Sequence, residues 1–279
     1  MLTIKLLWKL IYWLKLQKNN KMHQPLSYID PQSKIAKNVV IEPFVNIEKN
    51  VEIGSGTWIG SNVTIMEGAR IGKNCEIFPG AVISAIPQDL KFNGESSLAI
   101  IGDNTVIREC ATINRATSAT GRTIVGENCL IMAYAHVAHD CVIGDYAIIV
   151  NNVALGGHVN IGKYSIIGGL SAVHQFVNIG EHCMISGGSL VRKDVPPFVK
   201  AGREPLSFIG INSIGLRRRD FDENEIEEIQ NIYRFLYQKN YNNSQAINKI
   251  EVEFKASKLR DKIISFVQSS VRGIMRGYN

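Results

Sequence analysis

From Val125 to Val191 an aliphatic residue returns every six positions without a miss: Val125, Ile131, Val137, Ile143, Ile149, Leu155, Ile161, Ile167, Val173, Ile179, Ile185 and Val191. The same register runs earlier, from Ile29 through Ile83, and resumes at Ile101, Ile107 and Ile113. Together 25 positions share one phase, and 20 of them are isoleucine. A period of six fits neither a helix nor an alternating strand. It fits three short strands per coil of a parallel β-helix, the architecture of hexapeptide repeats. The enrichment in a β-branched residue suits strands stacked on one another. The aliphatic residue and a small fifth residue should point inward. Glycine often follows the aliphatic position (Gly126, Gly144, Gly162, Gly180) and is expected to serve tight corners.

Two interruptions stand out. The phase is lost over Pro87–Gly94, and again over Ser118–Arg122, a stretch rich in Thr, Ala and Gly. Both read as loops thrown out of the coil, and loops on a rigid scaffold often carry binding residues. The repeat stops at Pro196-Pro197, and from Leu206 the period turns helical. Ile226, Ile229, Tyr233 and Leu236 share one face behind Asp222 and Glu223, which suit a helix N-terminus. Further helical runs are expected around Gln245–Phe254 and Lys258–Met275. The predicted organisation is an N-terminal extension over 1–21, a β-helix over 22–197 and a helical domain over 198–279 that covers the open last coil.

Residues 1–21 carry an apolar run broken by Lys5, Lys9 and Lys15, too charged to span a bilayer and without a signal-peptide cleavage site. An amphipathic surface helix is one reading. The favoured one is an upstream start, with Met22 as the functional initiator. The net charge of +6 is a mild basic bias with no nucleic-acid signature and no phosphate-cradling P-loop. Five cysteines include no CxxC pair, and all but Cys110 fall on the fifth place of a hexad. They read as small core fillers of a reduced, cytosolic protein.

With three hexads per coil, residue n lies beneath n+18, one strand spacing of about 4.8 Å away. His139 then lies under Gly157 and Gln175, Asp140 under His158 and Phe176, and Ala138 under Gly156 and His174. These are outward-facing places on one edge of the prism. His139 beside a carboxylate reads as a general base whose tautomer Asp140 fixes. A glycine stacked next to that imidazole leaves a backbone N–H unobstructed for an oxyanion. No serine or cysteine nucleophile joins the cluster, which favours direct attack by an activated hydroxyl or amine over a covalent intermediate. A zinc site built from the histidines is the rival, disfavoured because they stand in different columns with no cysteine facing the same way.

Several segments carry a family resemblance: Gln88-Asp89-Leu90-Lys91, Thr112-Ile113-Asn114-Arg115, Ala135–Cys141, Ala172–Phe176, Asp194–Pro197 and Gly210-Ile211-Asn212 with Gly215–Arg219. Over about Pro25 to Arg276 the chain resembles the UDP-N-acetylglucosamine O-acyltransferases that begin lipid A synthesis. That resemblance implies a left-handed parallel β-helix assembled as a homotrimer, with sites in clefts between subunits. It implies acyl transfer from acyl carrier protein to the glucosamine 3-hydroxyl, with no metal and no further cofactor. His139 would match the general base, Asp140 its partner and Gly157 the oxyanion donor. His136, His158, His174 and Gln175 would line the sugar and acyl site, with Asp89 and Lys91 from the loop. Asn212, Arg218 and Arg219 would engage the uridine and phosphates. Gly187 matches the position that closes the acyl groove, and a glycine there argues for a long chain. Asn114 stands where some members carry histidine, and Ala116 where glycine is usual. The sugar N-acyltransferase of the same pathway fits less well, because residues 1–28 are too few for its uridine-binding domain. A zinc-dependent γ-type carbonic anhydrase or a non-catalytic β-helix are the readings from other classes.

Overall fold

The computed structural model describes residues 26–238 and 241–277. The extension over 1–21, and both readings of it, lie outside the described residues. Among those residues the strands, most of them two residues long, line up in three sheets of nine, eight and ten strands. Within the sheets of the coil every pairing is parallel, and the register follows the six-residue phase: Val137 pairs with Leu155, Leu155 with Val173, and Val173 with Val191. The chain is therefore a triangular parallel β-helix. Its aliphatic positions from Ile41 onward are buried, as are the fifth-place residues Val63, Ala81, Ala111, Ala135, Ala147 and Val177.

The glycine expectation needs correcting. The conformation that turns each corner falls on the fourth place of the hexad, where φ is positive at Asn50, Asn62, Asn104, Asn128 and Asn152 as well as at Gly56 and Gly80. Asparagine tolerates that left-handed region better than most residues. The glycines directly after the aliphatic residue do something else. A Cβ on Gly54 would lie 2.6 Å from the Gly72 carbonyl carbon, and one on Gly162 would lie 2.4 Å from the Glu181 nitrogen. They allow successive coils to approach at this edge.

Both interruptions are insertions into the coil. Ile83 pairs with Ile113, thirty residues on, twelve more than one coil needs. Ile101 pairs with Val125, twenty-four on, six more than one coil. After the last hexad, helix does not begin at Leu206. Strand Val199–Gly202 first extends the ten-stranded sheet beside Met184–Ile185, and Ser207–Ile211 pairs antiparallel with it. Phe198, Val199, Ala201 and Phe208 are buried there, so this hairpin closes an edge that the coil leaves open.

Four helices follow among the described residues: α1 (Ser213–Arg217), α2 (Glu223–Gln238), α3 (Asn243–Glu253) and α4 (Lys258–Ser269). In α2 the predicted face of Ile226, Ile229, Tyr233 and Leu236 is buried. Its first turn is fixed reciprocally. Asp222 Oδ1 accepts the Glu225 N–H at 2.8 Å, and the Glu225 carboxylate accepts the Asp222 N–H at 3.0 Å. Tyr233 donates its hydroxyl to the Pro197 carbonyl at 2.6 Å, which ties the helices to the end of the coil. The last helix stops at Ser269, short of the predicted Met275. The chain then returns to the β-helix through bridges of Ile274 to Asp194 and Arg276 to Ser207.

Candidate active site

His139 and Asp140 sit at the corner between strands His136–Val137 and Val142–Ile143. Asp140 takes the left-handed corner conformation, with φ of 60°, and its side chain turns back to the preceding residue. His139 Nδ1 lies 2.7 Å from Asp140 Oδ2. A charged carboxylate at that distance holds the ring proton on Nδ1, so the lone pair of the neutral imidazole sits on Nε2.

Both residues hold outward hexad places, yet both are buried. For Asp140, threonines at the second insertion surround the carboxylate. Thr117 donates its N–H (3.1 Å) and its hydroxyl (2.8 Å) to Asp140 Oδ2. Thr120 donates its N–H to Oδ1 at 3.2 Å, and its hydroxyl also bonds to Oδ1. Asp140 itself donates its N–H to the Thr123 hydroxyl at 2.8 Å. Burial works to raise the Asp140 pKa, but the bonds from Thr120, His139 and Thr117 together outweigh it and hold the carboxyl below its ordinary value. Sequence reasoning missed Thr117, Thr120 and Thr123. The signal was the threonine-rich gap itself, which marked a loop without saying what it covers.

The column arithmetic holds at this corner. The His158 N–H donates to the His139 carbonyl, and the Phe176 N–H to the Gly157 carbonyl, both at 3.0 Å. The His158 ring stacks on Phe176 with centroids 4.5 Å apart, and meets the His139 ring edge-on at 5.3 Å. Gly157 faces the imidazole so closely that a Cβ there would stand 2.6 Å from His139 Cε1 and 2.7 Å from Nε2. Only glycine leaves His139 its position. Among the described residues nothing accepts the Gly157 N–H.

His136 lies one step back on the strand, its Nδ1 2.7 Å from the Thr112 hydroxyl. Burial, then the nearby His139, push its pKa down, which keeps a second imidazole neutral beside the first. His174 and Gln175 lie at the same edge, with His174 Nδ1 3.0 Å from the carbonyl of the exposed Gln175. Asp89 accepts the Lys91 N–H at 2.9 Å within the first insertion, and Lys91 is exposed. The Asn114 amide donates to the Ile86 carbonyl, so this departure from the family pattern pins the root of that loop.

Asn212, Arg218 and Arg219 are not brought to this corner. The Asn212 amide donates to the His182 carbonyl at 2.9 Å and accepts the Gly215 N–H at 3.3 Å, capping α1. Arg218 is the exposed C-cap of the same helix. The Arg219 guanidinium carbon lies 4.6 Å from the Tyr164 ring centroid. Tyr164 belongs to the next corner, in one column with Tyr146 and His182. Gly187 stands on the third corner, exposed, with Gly169 O 3.1 Å from where its Cβ would be.

His139, Asp140 and His158 place one donor atom each within 4.8 Å of one another, a spacing that could bracket a metal ion. The chemistry of the set argues otherwise. Asp140 Oδ2 already accepts from His139 and twice from Thr117, and Oδ1 accepts twice from Thr120. A metal would have to displace these bonds. Cys75, Cys129, Cys141 and Cys183 belong to the hydrophobic core inside the coil. Burial drives the thiols of Cys141 and Cys183 up to about 12, which leaves them inert. A cavity of about 500 Å³ does exist elsewhere, between α1 and α2 with Arg217, Glu223 and Gln230 in its lining, and none of the cluster residues borders it.

Comparison with known proteins agrees with this geometry. Residues 194–275 match the family model described as UDP-N-acetylglucosamine O-acyltransferase, domain 2, and residues 50–85 and 122–157 match the bacterial transferase hexapeptide model. An acyl-[acyl-carrier-protein]–UDP-N-acetylglucosamine O-acyltransferase of Chlorobium phaeobacteroides is 52% identical over 201 residues, 71% of this chain and 76% of that protein. The enzyme of the same name from Thermodesulfovibrio yellowstonii is 41% identical over 258 residues, 92% of this chain and the whole of its own. The chain belongs to the UDP-N-acetylglucosamine O-acyltransferase family. The crystal structure of the Bacteroides fragilis UDP-N-acetylglucosamine acyltransferase superposes with a TM-score of 0.89 at 50% identity, over 91% of this chain and all of that one. Membership in this acyltransferase family overturns the carbonic anhydrase reading and the non-catalytic one. Among the described residues no helix is long and apolar enough to cross a membrane.

Proposed function

We propose that this protein transfers an acyl chain from acyl carrier protein to the 3-hydroxyl of the glucosamine ring of UDP-N-acetylglucosamine, the opening step of lipid A synthesis. The observation that carries the reading is the His139–Asp140 pair, with Nε2 left free and directed at Gly157. His139 Nε2 removes the hydroxyl proton as the sugar oxygen attacks the thioester carbonyl. Asp140 supports the imidazolium that forms, and the Gly157 N–H faces the oxygen on which charge develops. Collapse of the tetrahedral species breaks the C–S bond, and the imidazolium returns its proton to the departing thiolate. No covalent enzyme intermediate is needed, and no cofactor beyond the thioester.

His136, His158, His174 and Gln175 line the sugar and acyl site in this reading, with Asp89 and Lys91 reaching in from the first insertion. Asn212, Arg218 and Arg219 take the uridine and diphosphate. Their seat on a different corner from His139 favours a site completed by a second copy, hence a homotrimer with its clefts between subunits. One nucleotide-sugar can then meet the base of one copy and the arginines of the next. Gly187, with no side chain to close the far end of the acyl groove, favours a long chain.

The test is direct. The purified protein is given UDP-N-acetylglucosamine and a panel of acyl carrier protein thioesters of graded length, and the products are weighed by mass spectrometry. The expected product is the 3-O-acylated nucleotide-sugar, formed fastest with the long donors. Absence of any acylated sugar, or acylation at a position other than the 3-hydroxyl, overturns the reading.

A further inference from the structure

Arg219 lies against an aromatic column on the corner next to that of His139. Its Nη1 donates to the Gly215 carbonyl at 3.3 Å, and its guanidinium carbon stands 4.6 Å from the Tyr164 centroid. Tyr164 is itself clamped. Tyr146 stacks against it at 4.7 Å with an interplanar angle of 13°, and His182 stacks at 4.9 Å with an angle of 25°. His182 is held in turn by Phe198 at 5.8 Å and by the edge-on Phe221 at 5.1 Å. The tyrosine ring therefore has little freedom to follow the arginine, and the arginine must settle against the ring.

The column is also electrically suited to this. Burial, reinforced by Arg219, Lys163 and Lys262 and opposed by Glu181, pushes the His182 pKa down to about 4, so the ring beside Tyr164 stays neutral and does not repel the guanidinium. Among the described residues Arg219 makes a single carbonyl bond, which leaves most of the five guanidinium N–H donors for an anion. A guanidinium held on a fixed ring loses less rotamer entropy on binding than one that must be ordered first.

We propose that Tyr164 is a positioning residue, whose clamped ring aims the Arg219 fork at the diphosphate of the nucleotide-sugar. This rests on the reading of Arg219 as a diphosphate ligand. A purely structural role for the column would move the melting temperature and leave substrate affinity alone.

Steady-state kinetics on the full chain separate these cases, with UDP-N-acetylglucosamine varied at saturating acyl donor. Arg219→Ala is expected to raise KM. Tyr164→Leu is expected to raise KM roughly three- to tenfold, the range a cation–π contact supplies, with kcat within about twofold of wild type. Tyr164→Phe, which keeps the ring, should retain the wild-type KM. An unchanged KM in Arg219→Ala sinks the diphosphate reading on which the proposal stands. A raised KM in Arg219→Ala with a wild-type KM in Tyr164→Leu overturns the proposal itself. So does a Tyr164→Phe variant that is as impaired as Tyr164→Leu. If Tyr164→Leu does not fold, Tyr164→Met takes its place in the same assay, where a raised KM supports the proposal and a wild-type KM overturns it.

Discussion

Two corners of the prism carry columns of the same kind. On one, Asp140, His158 and Phe176 follow each other at eighteen-residue steps; on the next, Tyr146, Tyr164 and His182 do. All six residues occupy the same left-handed place in the hexad, with φ near 60°. Each column contains a histidine stacked on an aromatic ring. What separates them is the carboxylate and the loop that serves it. At the first corner Asp140 starts the column, and Thr117 together with the Ser118–Arg122 insertion gives it the donors that keep it ionised while buried. At the second, His182 is buried with no carboxylate hydrogen-bonded to its ring among the described residues, its Nδ1 has no partner there, and burial outweighs the nearby Glu181 so that its pKa falls to about 4. The stacking belongs to the scaffold. In the proposed reading the chemistry comes from the pairing with Asp140.

Changes at the first corner should therefore be costly to catalysis and changes at the second should not. Asp140→Asn keeps the shape but removes the charge that fixes the His139 tautomer. Turnover should fall on the order of 100-fold to 1,000-fold, measured as kcat with saturating substrates. Gly157→Ala puts a methyl 2.6 Å from the His139 ring and must displace it. A loss of about tenfold or more in kcat is expected, with oligomer size and melting temperature near wild type.

Smaller effects should appear as shifts along the pH axis. The folded-state pKa of Asp140 lies below its unfolded value of about 3.9, so its stabilising contribution is full above that pH and is lost as pH falls through the folded pKa. Thr120→Val removes one donor to Oδ1, raises the folded pKa, and should move acid unfolding to higher pH in a circular dichroism titration. His182 has its folded pKa below its ordinary 6.5, so acidification from about 6.5 to about 4 costs stability. His182→Phe should flatten that slope and leave kcat unchanged. It is the smallest change in this series, and a loss of activity there would erase the distinction between the corners.

The six-residue phase made the coil legible because each hexad repeats one burial pattern. For the same reason the eighteen-residue arithmetic placed His139, Asp140, Gly157 and His158 together from spacing alone. It failed where the repeat fails. An insertion has no periodicity to say where its side chains turn, so the threonines that bury and charge Asp140 stayed hidden. The hairpin of Val199–Gly202 with Ser207–Ile211 was missed because each strand is too short to show a period, and the need that forms it, an open sheet edge, is not local. The glycines were misassigned because sequence spacing does not tell a residue needed for positive φ from one needed for close approach. The column of Tyr146, Tyr164 and His182 was visible in the spacing, but aromatic rings carry no chemistry that would have singled it out.

Whether His139, and not the stacked histidine of the next corner, is the base comes down to one comparison. Acyl-transfer turnover is measured for His139→Ala and His182→Ala side by side, each shown to be folded by its melting curve. The expected result is a loss on the order of 100-fold to 10,000-fold for His139→Ala, with His182→Ala within about twofold of wild type. A His139→Ala protein that turns over within about tenfold of wild type would contradict the account.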